Sequence, residues 1–454
     1  MSAEEAKPTL LRTTELQSKL YQAARSEGRR RFHALYDKLY LPYVMESAWL
    51  VVRRNRGSGG IDGVTIQQIE ADGVDAFLAG VAQSLREKSY RPTPVRRVHI
   101  PKGDGRVRPL GIPTIRDRVV QAAAKLVLEP IFEADFEDVS YGFRPGIGQH
   151  EALAAVEEHS RRGFRWVVDA DIEQFFDTLD HQKLMEALRR RISDGAMLRL
   201  IYRWLKAGFM LEGVVDETDQ GSPQGGVLSP LLANVYLHTF DAAFRKQKTF
   251  IGHLTRYADD FVIQCGTQEQ ARRALEWAKG QVEGLKLRLH AGKTRIVNDR
   301  EVGFDFLGFH HRRVVLAHGK ACGKESMGAL RWPSRKACAK LRERVRQVLR
   351  SPWWVRHRWY EIMEDLRRYL TGWCQYFRHG SSARVFDKLD EWIRVRVCRH
   401  LARAQPTGKK RRPRRWTWYI HHRSVKLDLP LLEQLRTSPF APRMGQANAR
   451  WRAV

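Results

Sequence analysis

Four aspartates in two strand-like segments most constrain what this chain can fold into. Asp169 and Asp171 lie two residues apart in RWVVDADI, and Asp259 and Asp260 follow one another inside LTRYADDFVIQ. Side chains two residues apart share one face of a strand, and the second segment is typical of a short hairpin with both acids at its tip. A simple turn is one interpretation, because Asp is common in turns. The earlier acidic strand favours a shared site.

Carboxylates that converge repel one another, and such a cluster is costly unless cations neutralise it. Mg²⁺ prefers oxygen ligands and is commonly held by one or two carboxylates together with substrate phosphates. Two such ions, about 3.5–4 Å apart, can activate a 3′-hydroxyl and stabilise a leaving pyrophosphate. If the two strands lie side by side, the acids predict a nucleotidyl-transfer site that uses two metal ions.

Hydrophobic periodicity around these strands predicts an α+β fold. Two amphipathic helices are expected within residues 9–52, a basic hairpin with its turn at Asp104–Gly105 within 90–113, and then helices that alternate with short strands. This order is typical of helices packed on a small antiparallel sheet. After about residue 330 the strand signals stop, so we expect three helices that follow a Gly-containing linker over residues 315–333. The Gly-rich segment 55–63 fits a structured turn better than a phosphate-binding loop.

Positive charge is concentrated near the end of the chain. The protein has 454 residues and a formal net charge of +29, and residues 331–454 hold 31 Lys and Arg against 9 Asp and Glu. The same segment carries nine of the thirteen Trp residues. Cationic and flat aromatic side chains together suit a nucleic-acid groove, where phosphates meet Arg and bases stack on rings. A membrane surface is the alternative, but this charge is spread too widely for one amphipathic helix.

Cysteine usage and hydropathy exclude several other classes. The five cysteines are scattered without a CxxC pair, which argues against a zinc module or a disulfide framework and suits a reducing compartment. No run of 18 or more apolar residues occurs, so no transmembrane helix is expected. The N-terminal segment lacks the hydrophobic region of a secretory signal. These features predict a cytoplasmic protein without a membrane partner.

Eight blocks in a fixed order resemble the reverse transcriptase/maturase proteins encoded by group II introns. They are IDGVT, RPTPVRRVHIPKGDGRVRPLGIPTIRDRVVQ, SYGFRPG, DADIEQFFDTLDH, GSPQGGVLSPLLANVYL, RYADDF, KT and FLGF. No single block is decisive, but their order over roughly residues 40–400 is specific. The resemblance implies an RNA-directed DNA polymerase with a right-hand architecture, in which fingers and palm with a small antiparallel sheet precede an all-α thumb, or X (maturase), domain.

The same resemblance implies catalytic roles. Asp171, Asp259 and Asp260 match the metal-binding catalytic triad, which would hold two Mg²⁺ ions, with Mn²⁺ as a substitute. Asp169 is the alternative ligand on the same strand face, although an ion-paired or solvated acid is the interpretation we favour for it. Phe176 resembles the ring that packs under the incoming sugar and excludes a 2′-hydroxyl, whereas a core Phe is the alternative.

Further residues are implied to contact the nucleotide. Arg96, Lys102 and Arg108, at spacings of six along the basic hairpin, resemble groups that grip the triphosphate, and a solvated basic hairpin is the alternative. Gln224, in SPQGG, resembles the nucleotide-contacting Gln. The nucleotide-binding set is therefore Arg96, Lys102, Arg108, Phe176 and Gln224.

Two other blocks are implied to act at the leaving group and the primer. Lys293 resembles a group that protonates pyrophosphate, with a plain surface Lys as the alternative. Leu307 and Gly308 match the segment that supports the primer end. In the thumb-like segment 368–377, Trp373 and Tyr376 are expected to pack in the core rather than stack on bases.

The implied domains are an N-terminal helical extension of the fingers (1–75), fingers and palm (76–315), the helical thumb (316–402) and a basic tail (403–454) that binds DNA or is a simple extension. Many members of the family end in an endonuclease with paired cysteines and a His/Asn cluster. No segment here has those spacings, so target-strand nicking is not expected.

The implied function is to copy intron RNA into DNA during retrohoming and to assist splicing. Its partners would be the intron RNA, a DNA primer or target and dNTPs, in a nucleoid-associated bacterial ribonucleoprotein. Two alternatives remain, a CRISPR- or defence-associated reverse transcriptase and a non-catalytic RNA-binding splicing factor. Degenerate members of the second kind lose the acids, whereas this chain retains all three.

Overall fold

The computed structural model describes residues 6–101, 107–211, 214–216, 225–315, 327–350, 358–404 and 432. Three of the sequence predictions lie outside these ranges: the turn at Asp104–Gly105, and the nucleotide-binding roles of Lys102 and Gln224. The basic tail over 403–454 lies almost entirely outside them as well.

Helices and short strands alternate along the chain, as the periodicity predicts. The helices are α1 (Ala6–Ser26), a 3₁₀ helix (Tyr36–Tyr40), α2 (Pro42–Arg54), α3 (Ile66–Asp72), α4 (Val74–Arg86), α5 (Ile115–Glu133), α6 (Gln149–Arg161), α7 (Phe175–Thr178), α8 (His181–Arg189), α9 (Gly195–Lys206), α10 (Ser229–Arg245), α11 (Gln268–Gly284), α12 (Arg335–Arg350), α13 (Arg358–Phe377) and α14 (Ala383–Ala404). The strands are β1 (Val95–Pro101), β2 (Val107–Ile112), β3 (Trp166–Asp171), β4 (Phe209–Leu211), β5 (Val214–Asp216), β6 (His253–Tyr257), β7 (Asp260–Cys265), β8 (Arg295–Asn298), β9 (Phe304–Phe306), β10 (Phe309–Val315) and β11 (Met327–Pro333). The α+β fold class is thereby confirmed.

Within the described residues, the strands form three small sheets. Their orders are β2-β1-β4-β5, β6-β7-β3-β8 and β11-β10-β9. The predicted basic hairpin is the antiparallel pair of β1 and β2, and the predicted acidic hairpin is the antiparallel pair of β6 and β7. In the second sheet β7 lies directly beside β3, which is the arrangement that the two acidic segments require.

The described residues group into two compact units. The first comprises residues 6–152 and 168–296, and the second comprises 153–167 and 297–404 together with 432. The core of the first unit is built around α5, which packs against α1 and α2 and is buried on every face. Most of its residues are buried, and these include the charged Asp117, Arg118 and Glu133, so α5 is the central support of this unit.

In the second unit the predicted linker is wrong for residues 327–333. These residues form β11, which pairs antiparallel with β10 over seven residues. Gly328 and Pro333 suggested an irregular segment, but Pro333 ends the strand, where a missing N–H costs no ladder hydrogen bond. Arg331 interrupts the apolar alternation that would have predicted a strand. It is nevertheless buried, because its guanidinium lies 3.5 Å from the Glu157 carboxylate. The three helices expected after this point are α12, α13 and α14.

Within the described residues, no helix has both the length and the apolar character that crossing a bilayer requires.

Candidate active site

The acidic hairpin closes with a two-residue turn beside β3. Tyr257 and Asp260 are cross-strand partners, so Ala258 and Asp259 form the turn between them. The amide of Ile172, directly after β3, donates a hydrogen bond of 3.3 Å to the Asp259 carbonyl. This contact holds the tip of the hairpin against the end of the strand that carries Asp171, and all of these residues belong to the first unit.

Several carboxylates lie close to one another around the acidic turn. Burial raises the pKa of Asp260 well above its usual range, and the carboxylates of Asp169, Asp171 and Asp259 raise it further. Lys293 acts in the opposite direction and lowers the pKa of Asp260. The acids that the sequence placed on two separate segments are therefore close enough to interact, and ionising them together costs free energy unless cations compensate.

Two basic side chains at the start of β8, Lys293 just before it and Arg295 as its first residue, supply part of that compensation. The Lys293 ammonium forms an ion pair with Asp171 Oδ2, and the backbone amide of His290 donates a 2.8 Å hydrogen bond to the Asp171 carbonyl. Arg295 Nε donates a 3.0 Å hydrogen bond to Asp169 Oδ2. Asp169 and Asp171 are thus both ion-paired, and Asp171, Asp259 and Asp260 stay the predicted metal ligands.

The donor chemistry of the three acids suits a divalent cation. Carboxylate oxygens are the ligands that Mg²⁺ prefers, and two of the four carboxylates, Asp171 and Asp169, pair with the cations just described. Among the described residues, however, no group of three or more Asp, Glu, His or Cys side chains is already gathered as a ligand set. The site therefore fits a metal by charge and by ligand type, with Asp171 held by Lys293.

A buried arginine supports the turn from behind. Arg256 on β6 has no exposed surface, and its Nε donates a 2.7 Å hydrogen bond to Asp241 Oδ1 on α10. The same guanidinium donates to the Ala258 carbonyl at 2.8 Å and to Ser140 Oγ at 2.7 Å. One side chain thus joins a strand, a helix, a loop and the acidic turn.

Arg256 lies within the RYADDF block, but the sequence predicted no role for it. The sequence did contain a signal for a buried ion pair. Arg256 lies on the same strand face as the apolar Leu254, and Asp241 interrupts the apolar run of a helix. A lone base and a lone acid in apolar segments are candidates for a buried pair, since neither charge is stable there alone.

The turn conformation also explains a glycine in the SYGFRPG block. Ala258 has a φ of +58°, in the left-handed region that few residues other than Gly occupy. A Cβ on Gly142 would lie 2.5 Å from the Ala258 backbone nitrogen, and Asn234 Nδ2 donates a 2.7 Å hydrogen bond to the Gly142 carbonyl. Only glycine lets the loop approach the turn this closely.

The described nucleotide-binding candidates have mixed surroundings. Phe176 is half-buried, and its ring contacts that of Phe175, which is in the core. Arg96 is exposed, and one of its nitrogens donates a 2.9 Å hydrogen bond to the Gly59 carbonyl. For Arg108, only the backbone is described, in β2 opposite Ile100.

The Gly-rich segment 55–63 is a structured turn, as predicted. A Cβ on Gly60 would lie 2.6 Å from the Thr114 Cα atom, so the turn packs closely against the start of α5. It also receives Arg96 at the Gly59 carbonyl. The segment is therefore part of the protein scaffold around the basic hairpin.

Leu307 and Gly308 belong to the second unit and form a tight turn between β9 and β10, with φ values of +48° and +80°. The Tyr376 hydroxyl donates a 2.7 Å hydrogen bond to the Leu307 carbonyl. The Trp373 ring lies 4.4 Å from that of Phe377. Trp373 and Tyr376 are both half-buried and make these contacts within the protein, and a packing role stays the prediction for them.

A cationic cluster lies on α12 and α14 of the second unit. The guanidinium carbons of Arg342, Arg346 and Arg396 lie 5.8, 5.5 and 5.4 Å from the centre of the Trp392 ring. Glu343 pairs with Arg346 at 3.1 Å, while Arg342 Nε is buried and has no hydrogen-bond partner among the described residues. Three cations around one ring repel one another, so the cluster is suited to an anionic partner.

Two family models match the chain. "Reverse transcriptase (RNA-dependent DNA polymerase)" matches residues 100–311, which include all four aspartates of the site. "Group II intron, maturase-specific domain" matches residues 338–420, which include the arginine cluster.

Known proteins match the chain over different shares of their length. Protein YkfC of Escherichia coli (strain K12) is 38% identical over 346 residues, which cover 66% of this chain and 88% of that protein. Group II intron-encoded protein LtrA of Lactococcus lactis subsp. cremoris is 40% identical over 215 residues, covering 46% of this chain and 35% of LtrA. The match thus spans about a third of the length of LtrA.

A solved structure titled "Partial Cas6-RT-Cas1--Cas2 complex" matches with a TM-score of 0.34 and 26% identity, over 55% of this chain and 42% of that one. A similarity this low supports no inference about this chain. The two family models and the similarity to YkfC and LtrA identify the family. The chain belongs to the group II intron-encoded reverse transcriptase/maturase family.

Proposed function

We propose that this chain is an RNA-directed DNA polymerase whose catalytic centre is formed by Asp171, Asp259 and Asp260. The observation that carries the proposal is that β7 lies beside β3 and the Ile172 amide donates to the Asp259 carbonyl, which brings the acids of the two segments together, and the repulsion between them raises the pKa of Asp260. A fold gains no stability from such repulsion. Selection for a cation-dependent reaction explains why these acids are nevertheless together.

Bound at these carboxylates, two Mg²⁺ ions would activate the primer 3′-hydroxyl and stabilise the leaving pyrophosphate. The protein's own residues position the reactants. Lys293, which the structure places at Asp171, is available to protonate the leaving pyrophosphate once Asp171 releases it. Phe176 would exclude a 2′-hydroxyl by contact with the sugar, and Arg96 would bind the triphosphate together with Lys102, Arg108 and Gln224.

The proposed partners are intron RNA as template and splicing client, a DNA primer and dNTPs. The strong positive charge of residues 331–454 and the match of residues 338–420 to a maturase-specific domain support RNA binding. We propose that residues 1–75 extend the fingers, that 76–315 form fingers and palm, and that 316–402 form the thumb. Leu307 and Gly308, in the turn that precedes the thumb, would support the primer. The tail 403–454 would bind DNA. Retrohoming in the bacterial cytoplasm would be the setting.

Primer extension on an RNA template with dNTPs and Mg²⁺ tests the catalytic assignment. Asp171→Asn and the double variant Asp259→Asn/Asp260→Asn should each lower the rate by about 100-fold or more, since metal ions contribute several kcal/mol to charge stabilisation. Asp169→Asn is the matched control, because it removes an equal charge from the same strand face. We expect it to lower the rate by less than about tenfold.

A filter-binding assay of each variant with RNA distinguishes loss of folding from loss of catalysis. Wild-type protein that is folded and binds RNA tightly but extends no primer would contradict the proposal and favour the splicing-factor alternative. Equal losses in Asp169→Asn and Asp171→Asn would show that the metal ligands have been assigned wrongly.

A further inference from the structure

Phe143, in the SYGFRPG loop, combines two features that the proposed catalytic centre leaves unexplained. Its side chain is 46% exposed although it is a large apolar ring. Its backbone has a φ of +57°, and a bulky residue is a genuine outlier in this left-handed region. Backbone strain of this kind persists only where the surrounding structure imposes it, and it is concentrated at functional sites.

Both chain neighbours of Phe143 are fixed by buried contacts. Gly142 lies against the backbone of Ala258 and receives the Asn234 side chain at its carbonyl. Arg144 is buried, and its guanidinium donates to both carboxylate oxygens of Glu133, with Nη2 at 2.8 Å from Oε1. A residue held on both sides has little freedom to turn its ring inward, so the exposure of Phe143 is a consequence of the fold around it.

The ring lies next to the acidic turn. Its centroid is 6.1 Å from that of Tyr257, with an interplanar angle of 44°. Tyr257 is the cross-strand partner of Asp260, and side chains of directly opposed residues point to the same face of a sheet. Phe143 therefore extends an aromatic surface from the face on which the carboxylates interact.

We propose that Phe143 is a nucleobase-stacking residue, which holds a base of the primer–template or of the incoming nucleotide beside the carboxylates. The inference deepens the proposed function and rests on it. A flat ring offers every base a π-face without sequence preference, as a template-copying enzyme needs. The adjacent Arg144 is buried in its ion pair with Glu133, so its charge is not presented at the loop tip. The exposed ring of Phe143 is then the group that the loop tip offers, and stacking is the contact that a ring makes with a base.

Three variants at one position test the proposal. Phe143→Asn removes the ring but tolerates a left-handed backbone, so the melting temperature should stay unchanged or rise. Phe143→Leu keeps an apolar side chain without a π-face, and Phe143→Trp keeps a π-face. Tyr202→Ala is the matched control, because Tyr202 is a 45% exposed aromatic residue on α9.

The first readout is the Kd for a fluorescein-labelled DNA primer annealed to an RNA template, measured by anisotropy without dNTPs. The second is the KM for dNTPs in primer extension. Loss of one stacked base should raise one of these by about 5- to 150-fold in Phe143→Asn and Phe143→Leu. Phe143→Trp and Tyr202→Ala should remain within about threefold of wild type.

The two readouts distinguish the source of the base. A raised Kd with an unchanged KM identifies a primer–template base, and a raised KM with an unchanged Kd identifies the incoming base. If Phe143→Asn changes neither, or if Phe143→Leu behaves as wild type, the ring does not stack on a base and the proposal is overturned. Because the anisotropy measurement needs no catalysis, a failure of the polymerase assignment would be seen separately, as tight binding without extension.

Discussion

At the scale of single residues, Asp260 is the residue whose surroundings favour the proposed function at the expense of folding stability. Its carboxyl is desolvated and faces the carboxylates of Asp169, Asp171 and Asp259, and both effects raise its pKa. Lys293 offsets only part of this. The charged form of Asp260 is therefore disfavoured in the folded protein, and a bound cation would remove that penalty.

This predicts that Asp260→Asn stabilises the metal-free protein at neutral pH. The folded pKa lies above the ordinary value of 3.8, so the folded state retains a proton that the unfolded chain has lost. Stability is then lost as pH rises from about 3.8 through the folded pKa. In thermal unfolding with EDTA, Asp260→Asn should melt above wild type at pH 7.5, and the difference should close towards pH 4.

The control is Glu283→Gln, which removes one negative charge from an exposed position on α11. Its melting temperature should follow wild type at both pH values. Added Mg²⁺ should raise the melting temperature of wild type more than that of Asp260→Asn. A variant that melts below wild type at pH 7.5 would show that Asp260 is stabilising in its charged form.

At the scale of secondary-structure elements, the Arg256–Asp241 pair joins β6 to α10 at the back of the acidic turn. Both side chains are fully buried. Breaking a buried pair by removing one partner leaves an uncompensated charge, whereas replacing both with apolar side chains can be nearly neutral. The stability of the pair and its support of the turn can therefore be measured separately.

Arg256→Met should destabilise the protein by about 3–5 kcal/mol in urea unfolding, because Asp241 is left buried and unpaired. Arg256→Met/Asp241→Leu should recover most of that loss. Primer extension should stay low in the double variant, since the Ala258 carbonyl and Ser140 have still lost their donor. Lys279→Met, at an exposed ion pair with Glu276, should cost about 1 kcal/mol or less. Full extension by the double variant would mean that the turn keeps its shape without Arg256.

At the scale of the whole molecule, charge is distributed very unevenly along the chain. Most of the net +29 lies after residue 330, and the cluster around Trp392 places three guanidinium groups within 6 Å of one ring. Contacts between cations and phosphates release counterions, so affinity for RNA should fall steeply with salt. How steeply depends on which of these cations meet phosphates.

Replacing Arg342, Arg346 and Arg396 together with Gln should weaken RNA binding and flatten its salt dependence. Each lost phosphate contact lowers the slope of log K against log [KCl] by about 0.7 for a single strand and 0.9 for a duplex. The triple variant should therefore lose about two to three units of slope. Replacing Arg272, Arg273 and Lys279 on α11 with Gln removes the same charge elsewhere, and an equal loss of slope there would point to bulk charge rather than to the cluster.

Much of the architecture could be predicted because its signals are local. Apolar residues at helical or alternating spacing predicted the helices, the basic hairpin and the acidic hairpin, and all of these are present. The pattern failed at β11, where a buried Arg331 and a glycine interrupt the alternation. Burial of that arginine depends on Glu157, which is distant in sequence, so no local pattern could predict the strand.

The candidate site divides in the same way. The residue types and their order along the chain by themselves predicted a carboxylate site for metal ions, since the chemistry of the ligands lies in the side chains, and the resemblance to the family selected three of the four aspartates. Only the tertiary structure decided that Lys293 pairs with Asp171, 122 positions away, that Arg256 holds the turn, and that Phe143 is exposed beside Tyr257. These contacts are set by the pairing of strands and the packing of a loop against a turn, because interactions between distant segments depend on how the whole chain buries its apolar surface.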